Sequence, residues 1–202
     1  MKIAVLTERS PGETRVAATP ETIKKFAGLG NDLAIESGAG VNASIPDEAY
    51  TDAGASVGSA AEVVKDADII LAIQAPDVEL LKGAKPGAMV AALFDPFVQK
   101  ERVEAYAKAG LEALSMEFMP RITRAQGMDV LSSQSNLAGY KAVLAAADTY
   151  GRAFPMMMTA AGTVQAAKAF IMGVGVAGLQ AIATARQSGA RLQISHIQPK
   201  FG

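Results

Sequence analysis

Residues 173–178 read Gly173-Val174-Gly175-Val176-Ala177-Gly178, a G-x-G-x-x-G spacing with a definite physical use. The first glycine permits a tight turn, and the second lets a pyrophosphate approach the backbone. The third allows close helix–strand packing, with the positive end of the helix dipole aimed at the phosphates. Alone the pattern is unspecific, but its setting is not. A strand is predicted over Lys168–Met172 and a helix over Ala177–Gln187, so the glycines lie where a strand–turn–helix needs them. The competing reading is a glycine turn kept for packing. A near match, Gly38-Ala39-Gly40-Val41-Asn42-Ala43, also follows a strand. There Pro46 falls within what would be the phosphate-binding helix, so this stretch reads as a tight connection.

The second constellation is RITRAQGMDVLSSQS, residues 121–135. Arg121 and Arg124 offer forked donors, Gln126 both donates and accepts, Asp129 accepts and Ser132 does either. Such a set could fix an amide and a diphosphate. From polarity alone it equally describes a solvated loop, and a loop is predicted here. The fingerprint calls for an acid about 20 residues on to hold the ribose hydroxyls. His196 stands there, no Asp or Glu follows Gly178, and the ribose anchor is expected to be missing.

Composition removes several alternatives. There are no cysteines, so disulfides, thiol nucleophiles and Cys-ligated metals are excluded, and a single histidine leaves a zinc site almost without ligands. Nineteen basic residues against twenty acidic ones give no field that would draw nucleic acid or anionic lipid. The first twenty residues are too charged for a secretory signal. The apolar stretch 157–185 is broken by Gly162, Gly173, Gly175 and Gly178, which suits strand, turn and helix better than a membrane span. The chain reads as cytoplasmic, with no span of its own.

The elements that would position these residues alternate from the start. Strands are predicted over Lys2–Leu6, Asp32–Glu36, Ile69–Ile73, Ala88–Phe94 and Glu112–Met116. Helices are predicted over Pro46–Ala53, Ala60–Lys65 and Lys100–Ala109, and one begins at Pro20, capped by Thr19, with Ile23, Phe26 and Ala27 inward. A linking helix is predicted over Asn136–Tyr150, with Leu137, Tyr140, Val143, Leu144, Ala147 and Tyr150 as its stripe, and a last strand over Arg191–Ser195. Alternation of this kind specifies an α/β chain: a parallel-sheet N-terminal domain over 1–125, then a linking helix and an incomplete Rossmann-type dinucleotide-binding domain over 126–202.

Residues 116–143, MEFMPRITRAQGMDVLSSQSNLAGYKAV, resemble the signature of the soluble NAD(H)-binding component, domain I of the alpha subunit, of proton-translocating NAD(P) transhydrogenases, a family related to alanine dehydrogenase. TERSPGETRVAATP, ESGAGVNASIPDEAY and AFPMMMTAAGTV are similar too, and the resemblance runs from residue 1 to about 190. It implies that Arg121, Gln126, Asp129 and Ser132 hold the nicotinamide end of NAD(H), and that Gly173, Gly175, Val176 and Gly178 meet the rest. It implies hydride transfer to NADP(H) on a partner subunit, coupled to proton movement in membrane-embedded subunits. It further implies a homodimer lying peripheral to the inner membrane through those partners. Where the dehydrogenase relatives carry a lysine and a histidine, this chain has Gln74 and a residue near Leu93 or Phe94; Arg15, which in them grips the substrate carboxylate, is present. Hydride transfer between two nicotinamides needs no proton acceptor, whereas oxidising an amine does. The family pattern continues where SGARLQISHIQPKFG departs from it, which makes a truncated or frameshifted product the expectation, with weak NADH binding and self-association. An amino-acid dehydrogenase and a non-catalytic assembly fragment are the alternatives.

Overall fold

The computed structural model describes residues 1–195, which form two compact units, one from Met1 to Pro120 and one beginning at Arg121. His196, the residue at the ribose position, lies outside the described residues.

The first unit is built on six parallel strands: β1 (Lys2–Val5), β2 (Asp32–Glu36), β3 (Ser56–Gly58), β4 (Ile69–Gln74), β5 (Met89–Leu93) and β6 (Glu112–Ser115). Their order is β3-β2-β1-β4-β5-β6, with every neighbouring pair parallel. A sheet of this kind must be covered on both faces, and β1 shows how. Ile3 and Val5 point into one apolar cluster with Ile23 of α1 (Pro20–Gly28) and Tyr50 of α2 (Asp47–Asp52). Ala4 and Leu6 point into the other, with Val63 and Val64 of α3 (Ala60–Val64) and Tyr106 of α4 (Lys100–Lys108). The result is helix–sheet–helix, with the predicted strands and helices present and their ends shifted by a residue or two. The addition is β3, whose three residues Ser-Val-Gly carry no alternation to announce it.

Local signals fix the ends of these elements. The Thr19 hydroxyl accepts the N–H of Thr22 at 3.4 Å, and Pro20 supplies the preset φ of the first helical turn. The stretch from Gly38 to Ala43 is a tight connection, as predicted, with a 3-10 turn over Val41–Ala43. Gly40 is required there by space: a Cβ would lie 2.5 Å from the Ile45 carbonyl oxygen and 2.8 Å from the Tyr50 ring.

In the second unit the Arg121–Ser135 segment is not the loop that its polarity implied. Thr123–Met128 forms a 3-10 helix, and α5 runs over Val130–Thr149, starting six residues before the predicted linking helix. The cause is Asp129, an N-cap whose carboxylate accepts the Ser132 N–H at 2.9 Å, outweighing the low helix preference of the serines that follow. A hairpin of β7 (Met157–Thr159) and β8 (Gly162–Val164) follows, then β9 (Lys168–Met172), α6 (Val176–Gln187) and β10 (Arg191–Ser195), with β9 and β10 parallel. The apolar stretch 157–185 is thus divided among a hairpin, a strand and a helix. Among the described residues no helix is long and apolar enough to cross a membrane.

The Gly40 contact makes a prediction about the first unit. Replacing Gly40 by Ala overpacks against backbone and should lower stability by about 1–3 kcal/mol. Replacing Gly28, which has nothing within 4 Å of its Cβ position, serves as the control. Thermal unfolding followed by the near-ultraviolet tyrosine signal measures both, and equal midpoints for the two variants would remove Gly40 from the packing argument.

Candidate functional site

In the second unit the three fingerprint glycines answer to three different constraints. Gly173 has φ +97°, a conformation that L side chains rarely adopt, and so makes the turn out of β9. A Cβ on Gly178 would lie 2.1 Å from the Gly173 carbonyl oxygen, so its absence lets the helix close on the turn. Gly175, the N-cap of α6, has φ −70° and nothing within 4 Å of its Cβ position. No side chain caps α6, so the N–H groups of its first turn are left to other acceptors. Open space over a bare helix N-terminus fits an approaching diphosphate. Val176, half exposed, is the first helical residue.

The other predicted residues precede α5 or open it. Arg121, Arg124 and Gln126 are exposed, the latter two within the 3-10 helix. Asp129 is half-buried and bound twice by Ser132, through its N–H and through its hydroxyl at 2.6 Å. The Ser132 hydroxyl, then its N–H, with the charge of Arg121 adding to them, hold the Asp129 carboxyl below its ordinary range. Part of the constellation is therefore satisfied within the chain, while the Arg121, Arg124 and Gln126 side chains extend from the surface.

The fold also exposes a set of groups that sequence reasoning passed over. In doubly wound sheets ligands gather beyond the carboxyl ends of the strands where the order reverses, here between β1 and β4. A cavity of about 200 Å³ lies there, lined among others by Thr7, Glu8, Ser10, Gln74, Asp77 and Arg102. β1 pairs with β4 only as far as Leu71, and the Glu8 carboxylate takes up the N–H groups beyond it, Ile73 at 2.5 Å and Gln74 at 3.1 Å. Burial pushes the Glu8 carboxyl up despite those two bonds. Arg15 is gripped by Glu13 through Nε at 2.7 Å and Nη2 at 2.6 Å, and the Gln74 amide donates to the same carboxylate at 3.3 Å. That clasp draws Glu13 down to about 2, chiefly through the Arg15 bond. Phe94 is buried against Tyr106, rings edge to face at 5.0 Å, and offers nothing to a ligand. The available signal was TERSPGETR, in which acids and arginines alternate; the pairing required the fold.

Two family models cover most of the chain: the alanine dehydrogenase/PNT N-terminal domain over residues 4–138 and the corresponding C-terminal domain over 142–201. The chain is 50% identical over 207 residues to a Rhodospirillum rubrum protein that is the first part of an NAD(P) transhydrogenase alpha subunit, an alignment covering 98% of the chain and 53% of that protein. It is 27% identical to an alanine dehydrogenase of Halomonas elongata, covering 96% of the chain and 53% of that protein. The crystal structure of transhydrogenase from Sinorhizobium meliloti superposes with a TM-score of 0.93 at 54% identity, over 98% of the chain and 59% of that structure. The chain thus spans about half the length of the curated relatives it matches.

The Glu13 clasp sets a pH dependence. Because the folded pKa, about 2, lies below the ordinary 4.5, the clasp stabilises the folded chain fully above pH 4.5. That contribution is lost as pH falls through the window between the two values. Unfolding midpoints measured down this window should fall less steeply for Glu13→Gln than for the parent, and parallel curves would contradict the assignment.

Proposed function

The chain belongs to the alanine dehydrogenase/PNT family, and from that premise we propose that it is the NAD(H)-binding part of a proton-translocating transhydrogenase. The observation that carries this reading is the turn out of β9. Gly173 bends the chain, Gly178 lets α6 close on it, and Gly175 leaves the helix N-terminus open to a diphosphate. When bound, NADH supplies the hydride. The chain's task is then to hold both ends of the dinucleotide.

The backbone N–H groups at the start of α6, with Val176 beside them, receive the diphosphate. Arg121, Gln126, Asp129 and Ser132 orient the nicotinamide amide and ribose. Ser132, through its hydroxyl and N–H, fixes the Asp129 carboxylate and favours its ionised form, with the charge of Arg121 adding to them. The acceptor is NADP held on a partner subunit, with membrane-embedded subunits coupling the transfer to proton movement. On this reading the chain is a homodimer, cytoplasmic and peripheral to the inner membrane through its partners.

The arrangement at the β1–β4 crevice favours this reading over amino-acid oxidation. A dehydrogenase must take a proton from the amine and anchor a carboxylate. Here Arg15 is already committed to Glu13, Gln74 has no titrating group and Phe94 is core. Incubation with alanine and NAD should give no NADH above background. Alanine-dependent NADH formation that vanishes in Arg15→Ala would establish the dehydrogenase instead.

The main test is hydride transfer from NADH to NADP with the membrane and NADP-binding components supplied, followed by separating and quantifying the NAD and NADPH formed, because the two reduced nicotinamides absorb alike. Arg121→Ala, Gln126→Ala and Asp129→Asn should each slow transfer by ~10², the loss expected for a misplacement of about 1 Å. Asparagine keeps the helix cap and removes the charge, so a slow Asp129→Asn variant with unchanged helicity separates cofactor orientation from capping. Wild-type rates in all three at saturating NADH would reduce the segment to a structural connection.

A further inference from the structure

Gly139 lies in α5, one helical turn beyond Asn136, and is buried. A Cβ there would stand 2.1 Å from the carbonyl oxygen of Ala177, 2.9 Å from its carbon and 3.1 Å from its Cα. All three contacts are to backbone, so no side chain could rotate out of the way. Ala177 is the second residue of α6 and immediately precedes Gly178, whose own missing Cβ admits the Gly173 carbonyl at the same 2.1 Å. The first turn of α6 is therefore held from two sides by adjacent residues. On one side the turn out of β9 meets it through Gly178; on the other α5 meets it through Gly139. A polar chain reinforces the second contact. Asn136 donates to the Gln180 side-chain oxygen at 3.3 Å, and the Gln180 amide donates to the Thr184 hydroxyl at 3.2 Å.

We propose that Gly139 is a positioning residue: the backbone contact it permits between α5 and the first turn of α6 sets the distance between the Arg121–Ser132 segment and the fingerprint turn. The claim rests on the cofactor reading above. Asp129 caps α5 ten residues before Gly139, roughly 15 Å along the helix at 1.5 Å per residue. α5 is thus a lever, with the nicotinamide-side residues at its end and the contact with α6 as its pivot. A methyl at residue 139 must move from 2.1 Å to at least 3.0 Å from the Ala177 oxygen, which displaces the pivot by about 1 Å. Displacements of that size cost oriented reactions ~10²-fold. The diphosphate meets the start of α6, which the β9 turn still holds, so binding of the ADP-ribose portion should feel the change much less.

The absence of cysteine allows a direct test on the 202-residue chain. Spin labels on Met128→Cys and Gln187→Cys, both exposed, report the distance from the end of the lever to the far end of α6 without any ligand. The parent should give one narrow distribution, Gly139→Ala a shifted one and Gly139→Val a broader or further shifted one, with helicity retained by circular dichroism. In parallel, affinities for NADH and for ADP-ribose, which lacks the nicotinamide, are compared. Gly139→Ala should weaken NADH at least tenfold and ADP-ribose less than twofold. Unchanged distances, or equal losses for the two ligands, would overturn the positioning role. If the parent bound neither ligand, the cofactor reading would fall, and the distances would still decide whether Gly139 is the pivot.

Discussion

Three carboxylates close the C-terminal ends of the central parallel strands, and the first unit is organised around them. Glu36 takes the Thr7 N–H beyond β1 at 2.9 Å, and Glu8 takes Ile73 and Gln74 at the end of β4. Glu117 takes Phe94 and Asp95 beyond β5. Backbone donors at strand ends must find partners once the ladder stops, and charge-assisted bonds are roughly twice as strong as neutral ones. The arginines follow from the carboxylates: Arg9 meets Glu36, and Arg15 meets Glu13. Donors that a ligand would use in other doubly wound sheets are consumed by the chain itself. An incoming carboxylate at the crevice would meet Glu8, and of the nearby arginines Arg9 and Arg15 are already paired, which leaves Arg102 in the lining.

That division explains what could be read from the sequence. Buried parallel strands are short apolar runs bounded by glycine, proline or polar residues, so β2 has the bounds predicted for it, and β9 and β10, though largely exposed, also keep theirs. Three-residue strands carry no such pattern, and β3 and the β7–β8 hairpin were invisible for that reason. The start of α5 was hidden by Ser132, Ser133 and Ser135, whose composition says loop while the Asp129 cap says helix. The strand-closing carboxylates join residues 22 to 66 apart, a separation no local window can bridge.

The α5 stripe shows the same limit in a helix. Leu137, Tyr140, Val143, Leu144 and Ala147 have helical spacing, yet they do not share one buried face. Val143 is buried and Ala147 half-buried, in line with Gly139, whereas Leu137, Tyr140 and Leu144 remain exposed. Periodicity identified the helix and mistook its contact surface. The packed face is set by the residue that allows the closest approach, and glycine contributes nothing to an apolar pattern. A stripe search therefore passes over the contact that Gly139 makes.

Of the four glycines at the fingerprint turn and its contact with α5, the fold explains three and leaves one. Gly173 is explained by its positive φ, and Gly139 and Gly178 by backbone oxygens standing where a Cβ would be. Gly175 has a φ that any residue adopts and empty space around its Cβ position. It is also an N-cap, where serine, aspartate or asparagine would stabilise the helix better by accepting from its first turn. Intrachain packing and helix stability thus give no reason for glycine at 175. A side chain there would occupy the space over the uncapped N–H groups. The residue makes sense if that space is needed by a group from outside the chain whose oxygens replace the missing cap, and a diphosphate has both the charge and the acceptors to do so.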